Sequence, residues 1–297
     1  MSGFSGESCM SCCSGSCDEV PELCIDIEEA DSRIIPHALH AVKDGLERIV
    51  VLSADTDVFV LLLYYWDTLH VEGLNELWMK AGVRDSTRHI PIHSLAFRIG
   101  FDLCKVIPAV HTQTGCDYTS KVGTKPAALK ANPLVLENFG LSRSGPTEED
   151  IAKAEMYLVQ VMKKGTPLTN MDSLRDKQYH HSKGLSLDEL PPTSHAIDFH
   201  IRRAHYATHE MTTILTQSLN QTPLNPLSYG FEKQDETLVP IRGVRPIPEE
   251  FAIHCNCVKC ATERWCSCHQ NNLPCCTFCK CQVTDGEICC KNPIGYM

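Results

Sequence analysis

The chain lacks any long apolar run: its longest, residues 58–66, falls far short of the roughly 20 residues a membrane-spanning helix needs. Its start, Met1-Ser2-Gly3-Phe4, lacks both the basic stretch and the apolar core of a secretory leader. Together these absences predict a soluble, intracellular protein with no membrane partner. Positive charge is in deficit. Lys and Arg number 27 against 37 Asp and Glu, a formal net charge of −10, which argues against a nucleic-acid binder that works by bulk electrostatics. Contact with DNA would have to use local basic spots, or metal ions bridging carboxylates to phosphates. Cysteine is nearly missing from the middle of the chain, where Cys104 and Cys116 stand alone.

The cysteines lie at the ends instead. Of 18, five precede residue 25 and eleven follow residue 254. A disulfide-stapled secreted protein spreads its cysteines through the core, whereas clustering favours metal binding in a reducing compartment. A length of 297 residues leaves room for one medium domain and small appendages.

Residues 1–24 form a Ser/Gly/Cys-rich tail with almost nothing to bury, so disorder is expected there. Its Cys9–Cys12 pair has no complementary pair nearby to complete a zinc site. Residues 25–135 read as α/β. A helix over 31–43 puts Ile34, Ile35, Ala38, Leu39 and Val42 on one side, with Pro36 predicting a kink or a late start. Residues 48–53 read as a buried parallel strand and 57–69 as a buried helix. Residues 77–80 and 88–92 read as a hairpin, followed by helices over 94–100 and 102–112. A helical region over 136–217 carries candidates at 148–164 and 194–217. Residues 218–254, with Pro223, Pro226, Pro240, Pro246 and Pro248, read as a linker or wrapped loop. The fold class expected is α/β: a parallel-sheet core, a helical middle and a small cysteine-rich module over 255–291.

Three acidic clusters stand where such a sheet would gather them: Glu28, Glu29 and Asp31 at a helix start, Asp55 and Asp57 just after a strand, and Asp117 in a Gly-Cys-Asp-Tyr turn. Carboxylates gathered without basic partners repel one another and call for a hard cation such as Mg²⁺ or Mn²⁺. Two such ions about 4 Å apart can support phosphodiester cleavage. Taken singly, each cluster is also what a solvated helix cap looks like, because helix N-termini attract acids.

In their order and approximate spacing, Glu28-Glu29-Ala30-Asp31, Ser53-Ala54-Asp55-Thr56-Asp57 and Gly115-Cys116-Asp117-Tyr118 resemble the flap-endonuclease/XPG-like branch of the PIN-like nucleases. The resemblance spans residues 25–135. It implies a PIN-like core with Glu29, Asp31, Asp55, Asp57 and Asp117 as ligands of Mg²⁺ or Mn²⁺. It also implies that Val122-Gly123-Thr124-Lys125 is a reduced form of the family's DNA-gripping hairpin, with Lys121, Lys125 and Lys130 available to phosphates. The family's opening strand, with its metal-binding Asp, and its basic helix have no counterpart before Glu28. An incomplete catalytic set is therefore expected.

From Cys255 the cysteines run C-x-C-x2-C-x5-C-x-C-x6-C-x3-C-x-C through Cys257, Cys260, Cys266, Cys268, Cys275, Cys279 and Cys281. The sulfurs of a C-x-C pair lie too close to serve separate isolated sites, and bridging thiolates resolve this. Three tetrahedral zincs need twelve bonds, supplied by nine cysteines if six are terminal and three bridge. Metal then replaces the apolar core so short a segment cannot build. The spacing resembles the tesmin-type CXC domain, which implies three zincs, nine cysteines and DNA or chromatin binding. By that resemblance Trp265 reaches the minor groove, with Lys259 and Arg264 on phosphates. The ninth ligand is Cys289 or Cys276, since the family's last cysteine has no counterpart just beyond Cys281. The module is not basic: from Cys255 on, Lys259, Arg264, Lys280 and Lys291 oppose Glu263, Asp285 and Glu287. His254, His269, His180 and His181 are expected at the surface, because the thiolates already suffice.

The order of parts also resembles multicopy invertebrate proteins with the look of mobile-element cargo. The leading expectation is a nuclear, zinc-binding, DNA-associated protein with a nuclease-like core. An active Mg²⁺/Mn²⁺-dependent structure-specific nuclease and a protein-interaction scaffold are the alternatives.

Overall fold

The longest apolar run of the sequence becomes the centre of a buried helix. The computed structural model describes residues 10–13, 16–20, 23, 29–82, 84–181, 189–216, 222–243, 255–257, 260, 266–271, 275, 279–281, 283–284, 287–288 and 292. The chain divides into two units, Met1–Gly243 and Val244–Met297. In the first unit β1 (Met10–Cys13) and β2 (Ser16–Glu19) precede α1 (Ala30–Lys43), β3 (Arg48–Leu52), α2 (Thr56–Val71), β4 (Glu76–Ala81), β5 (Arg88–Pro91), α3 (Ile92–Ile99) and α4 (Phe101–Thr114). Then come α5 (Lys125–Leu129), α6 (Glu148–Met162), α7 (Met171–His181), α8 (Ser194–Thr212), β6 (Phe231–Gln234) and β7 (Thr237–Pro240). The antiparallel pairing of β1 with β2 falls within the stretch expected to be a structureless tail.

The main sheet has the order β3-β4-β5, with β3 parallel to β4 and β5 antiparallel to it. Arg48 sits opposite Glu76, and its guanidinium donates to both carboxylate oxygens at 2.9 and 2.7 Å. Exposed as it is, that pair sets register more than it adds stability. Val51, Leu77 and Met79 send their side chains into a core shared with Ile35, Ala38 and Val42 of α1 and Leu62, Trp66 and Leu69 of α2. Burying each large side chain contributes about 1.5–3 kcal/mol. Val50 and Leu52, however, are 45% and 73% exposed. The parallel pairing is as expected, but β3 is covered on one face only, not on both. α1 begins at Ala30 and continues through the buried Pro36, rather than starting late.

α4 joins this core to a second one. Its Cys104 packs with the sheet, while Ala109 and Val110 pack with Ala128, Tyr157, Leu158 and Ile201. α6 starts on a reciprocal cap between Thr147 and Asp150. The helices of the extension over 136–217 lie within the first unit. Part of residues 218–254 packs as a wrapped loop against this unit: Tyr229 and Phe231 are buried, and Arg203 donates to the carbonyls of Gly230 and Ile241 at 3.0 and 2.9 Å.

Histidines of α8 hold backbone carbonyls from inside this unit. His200 meets Gln113 O at 2.9 Å, His205 meets Ser142 O at 2.7 Å and His209 meets Gly140 O at 2.8 Å. Burial pushes all three below their ordinary value, His200 to about 4. A depressed native value means that the unfolded chain takes up protons first as pH falls. The stability these groups carry is present above about pH 6.5 and is lost between there and about 4. Melting temperature is expected to drop over that window, and less steeply in His200→Gln; equal slopes would refute this account.

The second unit is described in part: α9 (Ser267–Gln270), and β8 (Val283–Thr284) paired antiparallel with β9 (Glu287–Ile288). Its core is Cys255, Cys260, Cys266, Cys268, Cys275, Cys279 and Cys281, with Cys257 against it. Among the described residues, no helix is long and apolar enough to cross a membrane.

Candidate metal centres

The first unit gathers its acids by means of helix starts and one tight turn. Glu29 precedes α1, and Asp31 lies in its first turn. Asp55 caps α2, its Oδ1 accepting the Asp57 N–H at 2.8 Å. Gly115, at φ 119°, ends α4 and lets the chain fold back so closely that a Cβ there would lie 2.9 Å from Lys121 Cα. Cys116 then bridges to Thr119, whose hydroxyl donates to Thr112 O at 2.6 Å. Asp117 rides on that turn.

These placements bring Glu29, Asp31, Asp55, Asp57 and Asp117 around one cavity of about 70 Å³, together with Glu210 from α8. Among the described residues, no Lys, Arg or His lines it. Burial, reinforced by the charges of Asp55, Asp57 and Asp117, raises the Asp31 carboxyl above its ordinary value. Burial raises Glu210 as well. Asp57 goes the other way, because a 2.7 Å hydrogen bond from His111 Nε2 to its Oδ1 outweighs burial. Tyr118 borders the cavity, with its hydroxyl 3.4 Å from Glu29 Oε1. Glu28 lies outside the described residues.

Glu210 and His111 went unnoticed in the sequence. Glu210 follows Asp117 by a long stretch of chain and belongs to no motif. His111 sits in an apolar helical stretch, where a histidine is normally a core residue. Of the lysines assigned to phosphates, Lys121 and Lys130 are exposed. Lys125 turns inward: its Nζ is 2.8 Å from His111 Nδ1 and 3.0 Å from Gly115 O. Burial lowers its ordinary value.

In the second unit the described cysteines are Cys255, Cys257, Cys260, Cys266, Cys268, Cys275, Cys279 and Cys281. Their sulfurs form three overlapping sets of four: Cys255, Cys257, Cys260 and Cys266; Cys255, Cys275, Cys279 and Cys281; and Cys255, Cys266, Cys268 and Cys275. Neighbouring sulfurs stand 3.0 Å apart for Cys257–Cys260, 3.3 Å for Cys255–Cys260 and 4.0 Å for Cys266–Cys275. Four sulfurs about 2.3 Å from a tetrahedral zinc are about 3.8 Å from one another, so the spacing fits such an ion. Each C-x-C pair falls within one set, and Cys255, Cys266 and Cys275 are shared between sets. Burial pushes the thiols of Cys255 and Cys260 far up, and Cys268 to about 12. Burial acts on Cys266 too, but the His269 N–H and the thiols of Cys260, Cys255 and Cys257 outweigh it and hold that group at about 7. The cluster can hold a metal ion such as zinc. Cys276 and Cys289, along with Lys259, Arg264 and Trp265, lie outside the described residues.

No protein-family model, no curated protein and no solved structure matches the chain.

Proposed function

We propose that this is a zinc-binding, DNA-associated nuclear protein whose acidic cavity takes Mg²⁺ or Mn²⁺, in a core of the PIN/flap-endonuclease type. One observation carries the reading: six carboxylates from four places in the fold line one cavity that, among the described residues, no basic side chain enters. A pair of divalent ions held there would supply the remaining chemistry, activation of water and stabilisation of the leaving oxygen of a phosphodiester. Glu29, Asp31, Asp55, Asp57 and Asp117 would hold the ions, and Glu210 adds a donor where the resemblance implied an incomplete set. Lys121 and Lys130 would meet the DNA backbone, as would Lys259 and Arg264 in the second unit, with Trp265 in the minor groove.

In that second unit three zincs account for the sulfurs. Cys255, Cys266 and Cys275 would serve as the shared thiolates, Cys257, Cys260, Cys268, Cys279 and Cys281 as the others, and Cys289 is the candidate ninth donor.

The test is incubation with flap and hairpin DNA in the presence of Mn²⁺. Cleavage is expected from the wild-type chain, and a loss of at least about 100-fold from Asp55→Asn and from Asp57→Asn. A chain that binds Mn²⁺ but cuts neither DNA would overturn the nuclease reading and leave a cation-binding scaffold.

A further inference from the structure

We infer that His111 and Lys125 are positioning residues of the acidic cavity: they hold the Asp57 carboxylate by one oxygen, so that the other is offered to a divalent cation. The inference rests on reading that cavity as a cation site. It goes beyond that reading by assigning two residues that do not line the cavity.

The direction of the hydrogen bonds follows from elementary chemistry. An ammonium donates and never accepts, so Lys125 Nζ, 2.8 Å from His111 Nδ1, makes that nitrogen the acceptor. The neutral ring then carries its proton on Nε2, which donates to Asp57 Oδ1 at 2.7 Å. Lys125 is itself fixed at the carbonyl end of α4, where Gly115 O and His111 O lie 3.0 and 3.4 Å from Nζ. Cations are favoured there by the helix dipole. Asp57 stands in the first turn of α2, His111 near the end of α4 and Lys125 at the start of α5. Three elements thus fix one carboxylate. Its Oδ2 has no hydrogen-bond partner among the described residues.

The plainer reading is a core histidine that satisfies a neighbour. The other buried histidines show what that looks like: His200, His205 and His209 each end on a backbone carbonyl. His111, only 4% exposed, ends on a side chain that lines the cavity, and the half-buried Lys125 ammonium orients its ring from behind. Groups that orient a metal ligand in this way typically affect metal affinity 10–100-fold.

Mn²⁺ titration of the full chain, followed by calorimetry and by the electron paramagnetic resonance of the free ion, tests this alongside melting temperature. His111→Leu and Lys125→Met are expected to weaken Mn²⁺ binding about 10–100-fold. His111→Gln is expected to stay close to wild type, since its amide can accept from Lys125 and donate to Asp57. Leu and Met variants that melt lower yet bind Mn²⁺ as wild type does would overturn the inference, as would a Gln variant as weak as Leu. Should His111→Leu not fold, Lys125→Met, which keeps its aliphatic stem, decides alone. Failure of the wild-type chain to bind Mn²⁺ would remove the cation reading itself and this inference with it, an outcome distinct from the others.

Discussion

Stripping zinc from the chain with a strong chelator is expected to unfold the second unit, Val244–Met297, and to leave the melting of the first in place. Its described core is cysteine, and among the described residues no cluster of Leu, Ile or Phe holds it once metal is gone. Buried thiols without a cation strongly resist ionisation, as the raised values of Cys255, Cys260 and Cys268 indicate. Structural zinc supplies about 10–16 kcal/mol of apparent binding energy in small cysteine-rich modules, and that energy is folding energy. The shared sulfurs grade the effect. Cys255 belongs to all three sets and Cys257 to one. Cys255→Ser should therefore release most of the zinc, and Cys257→Ser about one ion. Elemental analysis of purified protein measures both; equal losses in the two variants, or fewer than about two zincs in the wild type, would contradict this arrangement.

Saturating Mn²⁺ is expected to stabilise the first unit, and Asp31→Asn to separate the two consequences of crowded acids. At 100 times its dissociation constant, a bound ion adds about 2.7 kcal/mol. For a unit of this size that raises the melting temperature by roughly 5–10 °C. Without metal, Asp31 works against folding at neutral pH. Its carboxyl is raised by burial and by the charges of Asp55, Asp57 and Asp117. A raised native value gives stability that is present at low pH and lost as pH rises through it. Asp31→Asn should therefore melt higher than wild type in metal-free buffer at pH 7, by roughly 1–3 °C, since water screens so exposed a group. With Mn²⁺ the order should reverse, because the variant has lost a ligand. A variant that gains as much from Mn²⁺ as the wild type would show that Asp31 does not face the ion.

Several features were legible before any fold was known. The acids at Asp55, Asp57 and Asp117 could be marked because a strand end and a glycine turn are local events, written in adjacent residues. The cysteine spacing likewise confines its sulfurs to a small volume however the loops run. The α/β character of residues 48–112 followed from the periodicity of apolar residues, and the hairpin at Gly82 from its flanking strands.

Non-local packing was another matter. Residues 136–217 could be marked as helical, but helix periodicity does not show which face a helix packs against. α4 contributes to both cores, and α8 closes against it through Thr112 and Thr208, whose hydroxyls lie 2.7 Å apart. The prolines up to Pro240 left a linker and a wrapped loop both open, and Arg203 reaches across to fix that hairpin by two carbonyls. Lys125 looked like a phosphate contact by motif, but its ammonium faces His111.

What the sequence determined alone was therefore local: which residues are acids at element ends, which thiols lie within reach of one another, and where helices and strands begin. Only the tertiary structure decided that Glu210 joins five other carboxylates, that His111 stands behind Asp57, and that Cys255, Cys266 and Cys275 are the shared sulfurs. The physical reason is separation. A capping residue or a C-x-C pair is constrained by bonds a few atoms away. The meeting of α8 with a turn at Asp117 depends on the burial of side chains from every element between them.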